Sequence, residues 1–304
     1  MEIQTAALIG LGALGITFGQ RLNACLPRGN FVVIADKERA DRYRRTGVRV
    51  NGALCDFTYA EPAAGKPVDL VIVATKSLAL AGAMEQMAAF VGPDTVLLSL
   101  INGITSEEEL ETRWPGQALL CVALNTDATR VGQDVTFTAP GVLQIGERDG
   151  SASPRLAAVE ALLCKAGIAC EVYPDMIYRQ WNKLMINVGL NQATAVYDVP
   201  YGGVYAPGEA HDTMMAAMRE VVALSQKTGV CLRQDAPEQW LAATTGTFDP
   251  QAMPSMRQDT LAHRLTEKEL FSGTIRRLGR EYGVPTPVND RLYAELCRIE
   301  QSWN

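Results

Sequence analysis

The sequence has few histidines, and its cysteines form no recognisable pattern. Only His211 and His263 are present, which disfavours a mechanism that needs a histidine-rich metal site. The seven cysteines are scattered and include no CxxC pair, so they suggest neither a disulfide framework nor a zinc site. A reducing, cytoplasmic location fits this pattern best. With so little histidine, proton transfer falls to another residue type, and lysine becomes a candidate.

Long apolar runs and basic surfaces are also missing. No apolar stretch approaches the ~20 residues needed to cross a bilayer, so we expect no membrane partner. The apolar start begins with Glu2 and has no basic n-region, which predicts a buried strand instead of a signal peptide. A formal charge of -6 and a pI near 5.2 argue against a nucleic-acid partner. The length of 304 residues is comfortable for two domains.

Short apolar runs alternate with helical stretches in the first half of the chain. Continuous apolar runs predict strands that are buried on both faces, as in a parallel sheet covered by helices. The predicted strands span residues 6–10, 31–35, 69–75, 95–100 and 118–124. The fold class is therefore α/β, with an N-terminal Rossmann-type doubly wound parallel sheet.

The remaining segments predict how this domain closes and where a helical domain begins. Residues 134–147 alternate in character on both sides of Pro140-Gly141, which predicts a β-hairpin there. Beyond Pro174 strand signals stop, and the predicted helices span 176–197, 208–228, 257–282 and 288–301, after a helix at 154–166 and a strand at 168–173. We predict a dinucleotide-binding Rossmann domain at 1–174 and an all-helical substrate and catalytic domain at 175–304.

A glycine pattern comes directly after the first predicted strand and precedes a helix. Gly10, Gly12 and Gly15 form G-x-G-x-x-G. The first glycine permits the tight turn, the second lets the backbone approach a pyrophosphate, and the third lets the helix pack on the strand. The helix N-terminus then presents unpaired N–H groups to the phosphates. In this context the pattern predicts dinucleotide binding.

Polar residues stand just past the ends of later strands. About 20 residues beyond the glycines, Asp36 and Lys37 stand side by side. An acidic residue there usually binds the ribose 2′-hydroxyl of NAD, whereas a basic one accommodates the 2′-phosphate of NADP, and an ordinary charged turn is the alternative. Lys76 and Asn102 come after two further strands, where ligands bind in open sheets, although either residue could simply cap a helix or form a turn.

An otherwise apolar helix carries one polar residue every four positions. Steps of four keep Lys183, Asn187 and Asn191 on nearly the same face. Apolar side chains cover most of the remaining circumference, so the stripe is expected to line an enclosed site. A lysine there needs a partner or a role, unless its stem only covers apolar surface while the ammonium reaches water.

These elements together resemble the ketopantoate reductase (2-dehydropantoate 2-reductase) family over essentially the whole chain. The resemblance rests on GLGALG, Thr75-Lys76, Asn102-Gly103, the helix KLMINVGLNQATA, and the segment from Ser255 to Glu267. The last two are the specific ones: a K-x-x-x-N-x-x-x-N helix that ends in a Thr-Ala pair, and S-M-x-Q-D with a glutamate twelve residues after its serine.

The resemblance implies an oxidoreductase that transfers a hydride from NADPH to the C2 ketone of ketopantoate, giving (R)-pantoate, in pantothenate and coenzyme A biosynthesis. Lys183 is similar to the general acid of the family, and Glu267 to its second essential residue. Asn187, Asn191 and Ser255 are similar to residues that hold the substrate. Asn102 resembles an asparagine shared by cofactor and substrate, and Lys76 a residue at the cofactor crevice.

Some positions depart from the family. Ile101 stands where the family often has glutamine, and Tyr201 lies near the place of an asparagine in many members. Members that prefer NADPH commonly show a basic residue without an adjacent acid. Asp36 therefore leaves NADH as a possible cofactor. The expected partner is a small 2-keto acid, and the long helices could supply a homodimer face.

The segment around Ser255 also has simpler structural interpretations. Ser255 comes after Pro254 and stands three residues before Gln258, a capping-box spacing that could cap a helix as well as bind substrate. Asp259 is expected to stabilise the same helix start. Glu267 would by default be a surface charge on that helix.

Two alternatives to this function remain. One is a related 2-keto acid or β-hydroxyacid dehydrogenase. β-Hydroxyacid dehydrogenases of the 6-phosphogluconate or hydroxyisobutyrate type also carry a K-x-x-x-N helix, but the Ser255–Glu267 segment argues against them. A non-catalytic NAD(P)-sensing protein would not need both Lys183 and Glu267.

Overall fold

The computed structural model describes residues 2–247 and 249–303. The chain divides into two compact units, the first ending at Met176 and the second beginning at Ile177. The boundary expected from the sequence is near residue 174. That the first unit binds a dinucleotide and the second a substrate stays a prediction.

The first unit contains strands and helices in alternation. Its strands are β1 (Ala6–Ile9), β2 (Phe31–Ile34), β3 (Arg49–Val50), β4 (Ala53–Leu54), β5 (Tyr59–Ala60), β6 (Leu70–Val73), β7 (Val96–Ser99), β8 (Ala118–Thr126), β9 (Thr129–Val131), β10 (Asp134–Thr136), β11 (Pro140–Gly146) and β12 (Ala169–Val172). Its helices are α1 (Ala13–Cys25), α2 (Lys37–Thr46), α3 (Leu80–Met87), α4 (Ser106–Arg113) and α5 (Pro154–Lys165), with 3-10 turns at Pro62–Ala64, Ser77–Ala79 and Ala88–Phe90. Strands β1, β6 and β7 are buried throughout, which confirms the prediction from their continuous apolar runs.

The larger sheet has a Rossmann-type strand order. Among the described residues it runs β12-β11-β8-β7-β6-β1-β2-β5. The six strands from β8 to β5 pair in parallel, and the order reverses direction between β1 and β6. Ligands of open α/β sheets bind beyond the carboxyl ends of the strands at such a reversal. The loops after β1 and β6 therefore form the place to look for a cofactor.

The predicted hairpin at Pro140-Gly141 is wrong. The strand after it, β11, pairs antiparallel with β8 and parallel with β12. The strand before it, β10, pairs with β9 and β3 in a separate sheet ordered β4-β3-β10-β9. The carboxylate of Asp127 accepts hydrogen bonds from the N–H groups of Thr138 and Ala139, which directs the chain from one sheet to the other. The alternating pattern identified two strands but not their partners.

The regular elements among the described residues of the second unit are all helices, as the sequence predicted. It consists of α6 (Met176–Ile186), a first π-turn (Asn187–Asn191), α7 (Gln192–Val196), α8 (Tyr201–Tyr205), α9 (Glu209–Lys227), α10 (Ala236–Thr244), α11 (Ser255–Leu261), a second π-turn (Glu269–Gly273), α12 (Thr274–Tyr282) and α13 (Pro287–Gln301). The single helix expected at 257–282 is wrong, because α11 ends at Leu261 and helical structure resumes at Glu269. None of the helices within residues 2–247 and 249–303 combines the length and the apolar character that a membrane span requires.

A buried carboxyl group lies beside the loop after β7. Glu107 in the first turn of α4 is only 1% exposed. Its Oε2 accepts a hydrogen bond from Ser106 Oγ at 2.7 Å, and Ser106 Oγ accepts one from Ser99 Oγ at 2.9 Å. Burial raises the pKa of Glu107 to about 7. The hydroxyl of Ser106 opposes this rise without cancelling it.

We expect the pKa of Glu107 to make stability depend on pH. Between pH 4.5, its ordinary pKa, and about 7 the folded protein holds a proton that the unfolded chain releases. The free energy of unfolding therefore falls as pH rises through this window. In Glu107→Gln that fall should be smaller by roughly 3 kcal/mol, since one pKa unit is worth about 1.4 kcal/mol.

Urea unfolding of wild type and variant between pH 4.5 and 8 measures this difference. Glu108→Gln, which changes the exposed neighbour on the same helix, is the matched control and should behave like the wild type. Parallel curves for wild type and Glu107→Gln would show that Glu107 does not titrate in this range.

Candidate active site

The three glycines after β1 each satisfy a different steric demand. Gly10 has φ +99°, and a Cβ there would lie 2.6 Å from the carbonyl oxygen of Ala74. A Cβ at Gly15 would lie 2.0 Å from the carbonyl oxygen of Gly10, so only glycine lets α1 pack this closely. Gly12 is the N-cap of α1, and a Cβ there would meet only Ala74 O, at 3.4 Å. The space beside Gly12 is therefore open, as a pyrophosphate would require.

A cleft of about 250 Å³ lies at the carboxyl ends of β1, β2 and β6. Gly10, Ala35, Arg39, Tyr43 and Thr75 are among its lining residues. The hydroxyl oxygen of Thr75 is buried and has no hydrogen-bond partner within the protein. A buried hydroxyl usually has a partner, so this atom is suited to a ligand group. Together with the glycine loop and the free N–H groups of α1, the cleft fits a dinucleotide.

The two candidate residues for cofactor selection occupy different environments. Asp36 is the N-cap of α2, and its Oδ1 accepts a hydrogen bond from the N–H of Arg39 at 2.8 Å. Lys37 is exposed and its Nζ donates to Asp41 Oδ2 at 2.6 Å. The hydrogen bond to Asp41, with the charge of that residue, raises the pKa of Lys37. The ammonium of Lys37 is thus engaged on the surface of α2.

Sequence reasoning missed Arg39 and Tyr43, which line the cleft although Asp36 and Lys37 do not. Their spacing of four places them on one face of α2, a signal that was available in the sequence. The guanidinium of Arg39 also lies close to Asp36, with Nε 3.5 Å from Oδ2. A cationic group therefore stands beside the acidic candidate.

Lys76 and Asn102 come after the adjacent parallel strands β6 and β7, as predicted. Lys76 is exposed and precedes a 3-10 turn that its side chain does not cap. Asn102 is half-buried in a bend, and Gly103 after it has φ +92°. The N–H of Ile101 donates to Ser99 Oγ at 3.2 Å, which fixes the start of the bend. Both candidates follow the carboxyl ends of strands, where ligands of open α/β sheets bind.

The polar stripe of the second unit contains a π-turn, which the spacing of four did not predict. Lys183 is half-buried on α6, whereas Asn187 and Asn191 are 9% and 6% exposed and bound the first π-turn. Each residue of a π-turn advances less around the axis than in an α-helix, which counteracts the drift of a four-residue step. Asn191 Nδ2 accordingly reaches Asn187 Oδ1 at 3.5 Å. π-turns within helices are frequent at functional sites.

Gln192 stabilises this π-turn and was missed by sequence reasoning. It is fully buried, and its Nε2 donates to the carbonyl oxygen of Val188 at 2.7 Å. Its Oε1 accepts a hydrogen bond from the N–H of Ser272 in the second π-turn at 3.3 Å. Gly189 packs against α9, where a Cβ would lie 2.5 Å from Met218 Cγ. A glutamine beside an apolar run gives no sequence signal for such a bridge.

The expected cap at Ser255 is wrong. Pro254 is the N-cap of α11, and Ser255 is its exposed first residue, whose side chain makes no capping hydrogen bond. Asp259 does not stabilise the helix start either. It is buried, and its Oδ1 binds Arg264 Nε at 2.8 Å just beyond the C-terminal end of α11.

Glu267 lies outside any helix, in a half-buried bend between α11 and the second π-turn. The chain leaves the helix because the N–H of Arg264 bonds the carbonyl oxygen of Asp259. The elements around Glu267 and Ser255 pack within the second unit, where α11 and the second π-turn both contact the first π-turn. The segments that carry Asn187, Asn191, Ser255 and Glu267 are thus neighbours in this unit.

A Rossmann-type sheet, with a helical unit after it that holds a half-buried lysine and two buried asparagines, fits the plan of a nicotinamide-dependent oxidoreductase. The family description Ketopantoate reductase PanE/ApbA matches residues 6–150, and its C-terminal counterpart matches residues 175–300. The chain belongs to the ketopantoate reductase family.

Curated relatives agree with this assignment. The 2-dehydropantoate 2-reductase of Streptococcus pyogenes serotype M1 is 24% identical over 303 residues, covering 97% of each chain. That of Caulobacter vibrioides is 29% identical over 234 residues, covering 76% of this chain and 77% of the relative.

Solved structures show the same fold. A ketopantoate reductase family protein from Ralstonia eutropha has a TM-score of 0.85 at 24% identity, covering 98% of this chain and 99% of that one. A D-mandelate dehydrogenase solved with NADH and anilino(oxo)acetate has a TM-score of 0.84 at 24% identity, covering 98% of both.

The glycine loop generates a paired prediction. Gly12→Ala should fold with nearly the wild-type free energy of unfolding, because its φ of -77° suits alanine and its Cβ meets only one atom. The added methyl group should nevertheless weaken binding of reduced dinucleotide by roughly tenfold or more, about 1.4 kcal/mol. Gly15→Ala should instead destabilise the protein by about 1–3 kcal/mol, because its Cβ would overlap a backbone oxygen.

Fluorescence titration with NADH and NADPH, together with urea unfolding, separates the two effects. Wild-type affinity in Gly12→Ala would contradict the placement of the pyrophosphate beside this residue.

Proposed function

We propose that the protein reduces 2-dehydropantoate (ketopantoate) to (R)-pantoate with a reduced nicotinamide cofactor, in pantothenate and coenzyme A biosynthesis. The observation that carries the proposal is the stripe of Lys183, Asn187 and Asn191, in which two buried amides continue the face of a half-buried lysine. The names of the curated relatives support the same substrate.

The chemistry requires a cation near a developing negative charge. The cofactor, when bound, supplies a hydride to the C2 carbon of the ketone, which leaves negative charge on the carbonyl oxygen. An ammonium at Lys183 stabilises that charge where it forms. It then donates a proton from Nζ to the oxygen, so that hydride and proton together convert the ketone into a hydroxyl group.

The neutral and acidic residues have complementary roles in this proposal. Asn187 and Asn191 offer amide groups to the substrate hydroxyl and carboxylate, and Ser255 at the start of α11 offers a hydroxyl group. Asn102 is assigned to both cofactor ribose and substrate. Glu267 accepts a hydrogen bond from the substrate hydroxyl or orients Lys183.

The direct test monitors loss of NADH or NADPH absorbance when the purified protein is mixed with ketopantoate. We expect turnover by the wild type and a fall in kcat of roughly 10²–10⁴-fold in Lys183→Ala, with cofactor binding nearly intact, because general acid catalysis contributes about that factor. Lys165→Ala, which removes an exposed lysine at the end of α5, is the matched control.

Other outcomes would replace the proposal. Near-normal kcat in Lys183→Ala would exclude the role of this lysine. If only other 2-keto acids were turned over, the assigned substrate would change. Ile101 and Tyr201, which depart from the family, would then be the residues to test. Oxidation of a 3-hydroxy acid without ketopantoate turnover would favour a β-hydroxyacid dehydrogenase, and saturable binding without turnover would favour a sensor.

We also propose that the protein accepts NADH as well as NADPH, the cofactor that family members commonly use. A carboxylate at the carboxyl end of β2 accepts a hydrogen bond from a ribose hydroxyl and repels a phosphate at the same place. Asp36 holds that position, while Lys37 is bound to Asp41. Arg39 lies against Asp36, which offsets part of its charge.

We expect Asp36→Ser to shift the ratio of kcat/KM for NADH over NADPH toward NADPH by roughly 10–100-fold. A hydrogen bond to a charged group is worth about 1.5–3 kcal/mol, and serine keeps the helix cap. Lys37→Gln is the control, and we expect it to leave the ratio unchanged. A shift in the control, with none in Asp36→Ser, would assign selection to Lys37.

Assembly and location belong to the same proposal. A structural relative from Staphylococcus aureus is described as a dimeric ketopantoate reductase. A homodimer and a cytoplasmic location stay predictions for this chain.

A further inference from the structure

A buried carboxylate from the last helix binds the segment that carries Glu267. Glu300 lies near the end of α13, and its side chain is only 7% exposed. Its Oε1 accepts hydrogen bonds from the N–H of Thr266 at 2.9 Å and from the hydroxyl of Thr266 at 2.6 Å. Its Oε2 accepts a hydrogen bond from Nζ of Lys268. Glu300 thus binds both chain neighbours of Glu267.

This segment has no regular structure of its own that would hold Glu267. Residues 264–266 lie between a turn and a bend, and Glu267 is in the bend. The carbonyl oxygen of Glu267 accepts the N–H groups of Leu270 and Phe271, which begin the second π-turn. With Thr266 and Lys268 fixed on either side, the backbone at Glu267 has little freedom to rotate.

Glu300 also binds the charged ammonium group of Lys268. The side chain of Lys268 is only 15% exposed, so its ammonium requires a nearby anion. Burial acts to raise the pKa of Glu300, but the hydrogen bonds from Lys268 and Thr266 outweigh it and hold the pKa below its usual range. Glu300 therefore stays ionised and paired. If its charge were removed, the ammonium of Lys268 would be left buried without this anion.

We propose that Glu300 is a positioning residue for Glu267. It fixes the backbone on both sides of Glu267, and it holds the ammonium of Lys268 beside that residue. The proposal rests on the function assigned above to Glu267 and adds a residue of α13 to the residues on which that function depends.

The decisive variants separate charge from packing. Glu300→Gln keeps an acceptor for Thr266 but releases Lys268, so we expect kcat with ketopantoate to fall roughly 10–100-fold with KM little changed, because small displacements in a site cost up to about 10²-fold. Adding Lys268→Met removes the released ammonium. The double variant should therefore recover kcat to within a few-fold of the wild type.

A merely structural ion pair would also recover in the double variant, because a buried ammonium without its anion is destabilising and Lys268→Met removes it. Urea unfolding therefore accompanies the kinetics: a merely structural role predicts a lower free energy of unfolding in Glu300→Gln but a normal kcat of the folded protein. Glu147→Gln is the matched control, because Glu147 is also a buried carboxylate that binds a serine hydroxyl and a cation, Ser153 and Arg155. It comes directly after β11 at the amino-terminal edge of the parallel strands, in the first unit. We expect normal kcat in this control even if its stability falls.

Hydrogen–deuterium exchange supplies a readout that does not depend on turnover. Amides of residues 266–271 should exchange faster in Glu300→Gln than in the wild type and the Glu147→Gln control. Wild-type kcat in Glu300→Gln, no recovery in the double variant, or unchanged exchange would each overturn the proposal. If the wild type does not turn over ketopantoate, the proposed function fails, and the exchange result alone then decides whether Glu300 fixes this segment.

Discussion

The close contact between the start of α1 and the loop after β1 sets the geometry of the first unit. Gly15 approaches the carbonyl oxygen of Gly10 at a distance that no Cβ permits, and Gly10 in turn approaches the backbone of Ala74. These contacts bring the loops after β1 and β6 together where the strand order reverses. The cleft and the open side of Gly12 exist because two glycines remove the side chains that would hold these loops apart.

The second unit places polar groups within a buried helical segment. A uniform α-helix would turn a four-residue stripe gradually away from its starting face. The first π-turn corrects this drift and leaves Asn187 and Asn191 within reach of each other. The carbonyl oxygen of Val188, within this turn, accepts a hydrogen bond from the side-chain amide of Gln192. Local irregularity is thus stabilised by a buried polar contact.

Two buried glutamates show that the hydrogen-bond partners of a buried carboxyl group decide whether its pKa lies above or below the usual range. Glu107 accepts hydrogen bonds from neutral groups, and burial raises its pKa to about 7. Glu300 binds the ammonium of Lys268 as well as Thr266, and its pKa stays below the usual range. Desolvation therefore makes Glu107 a proton-binding group near neutral pH, whereas the ammonium of Lys268 and the groups of Thr266 favour the ionised form of Glu300. Only the anion can hold a cation beside Glu267.

Local patterns in the chain were enough to predict the fold class, the buried strands, the glycine loop and the polar stripe, because continuous apolar runs and constant residue spacings express local geometry. They did not predict the partners of β10 and β11, the break after Leu261, or the contribution of Arg39 to the cleft. The contacts that hold the second unit together join groups distant in the chain: Gln192 meets Ser272 80 residues away, and Glu300 meets Thr266 34 residues away. Such contacts are set by the tertiary structure alone, because a hydrogen bond between remote residues leaves no periodic pattern in the sequence.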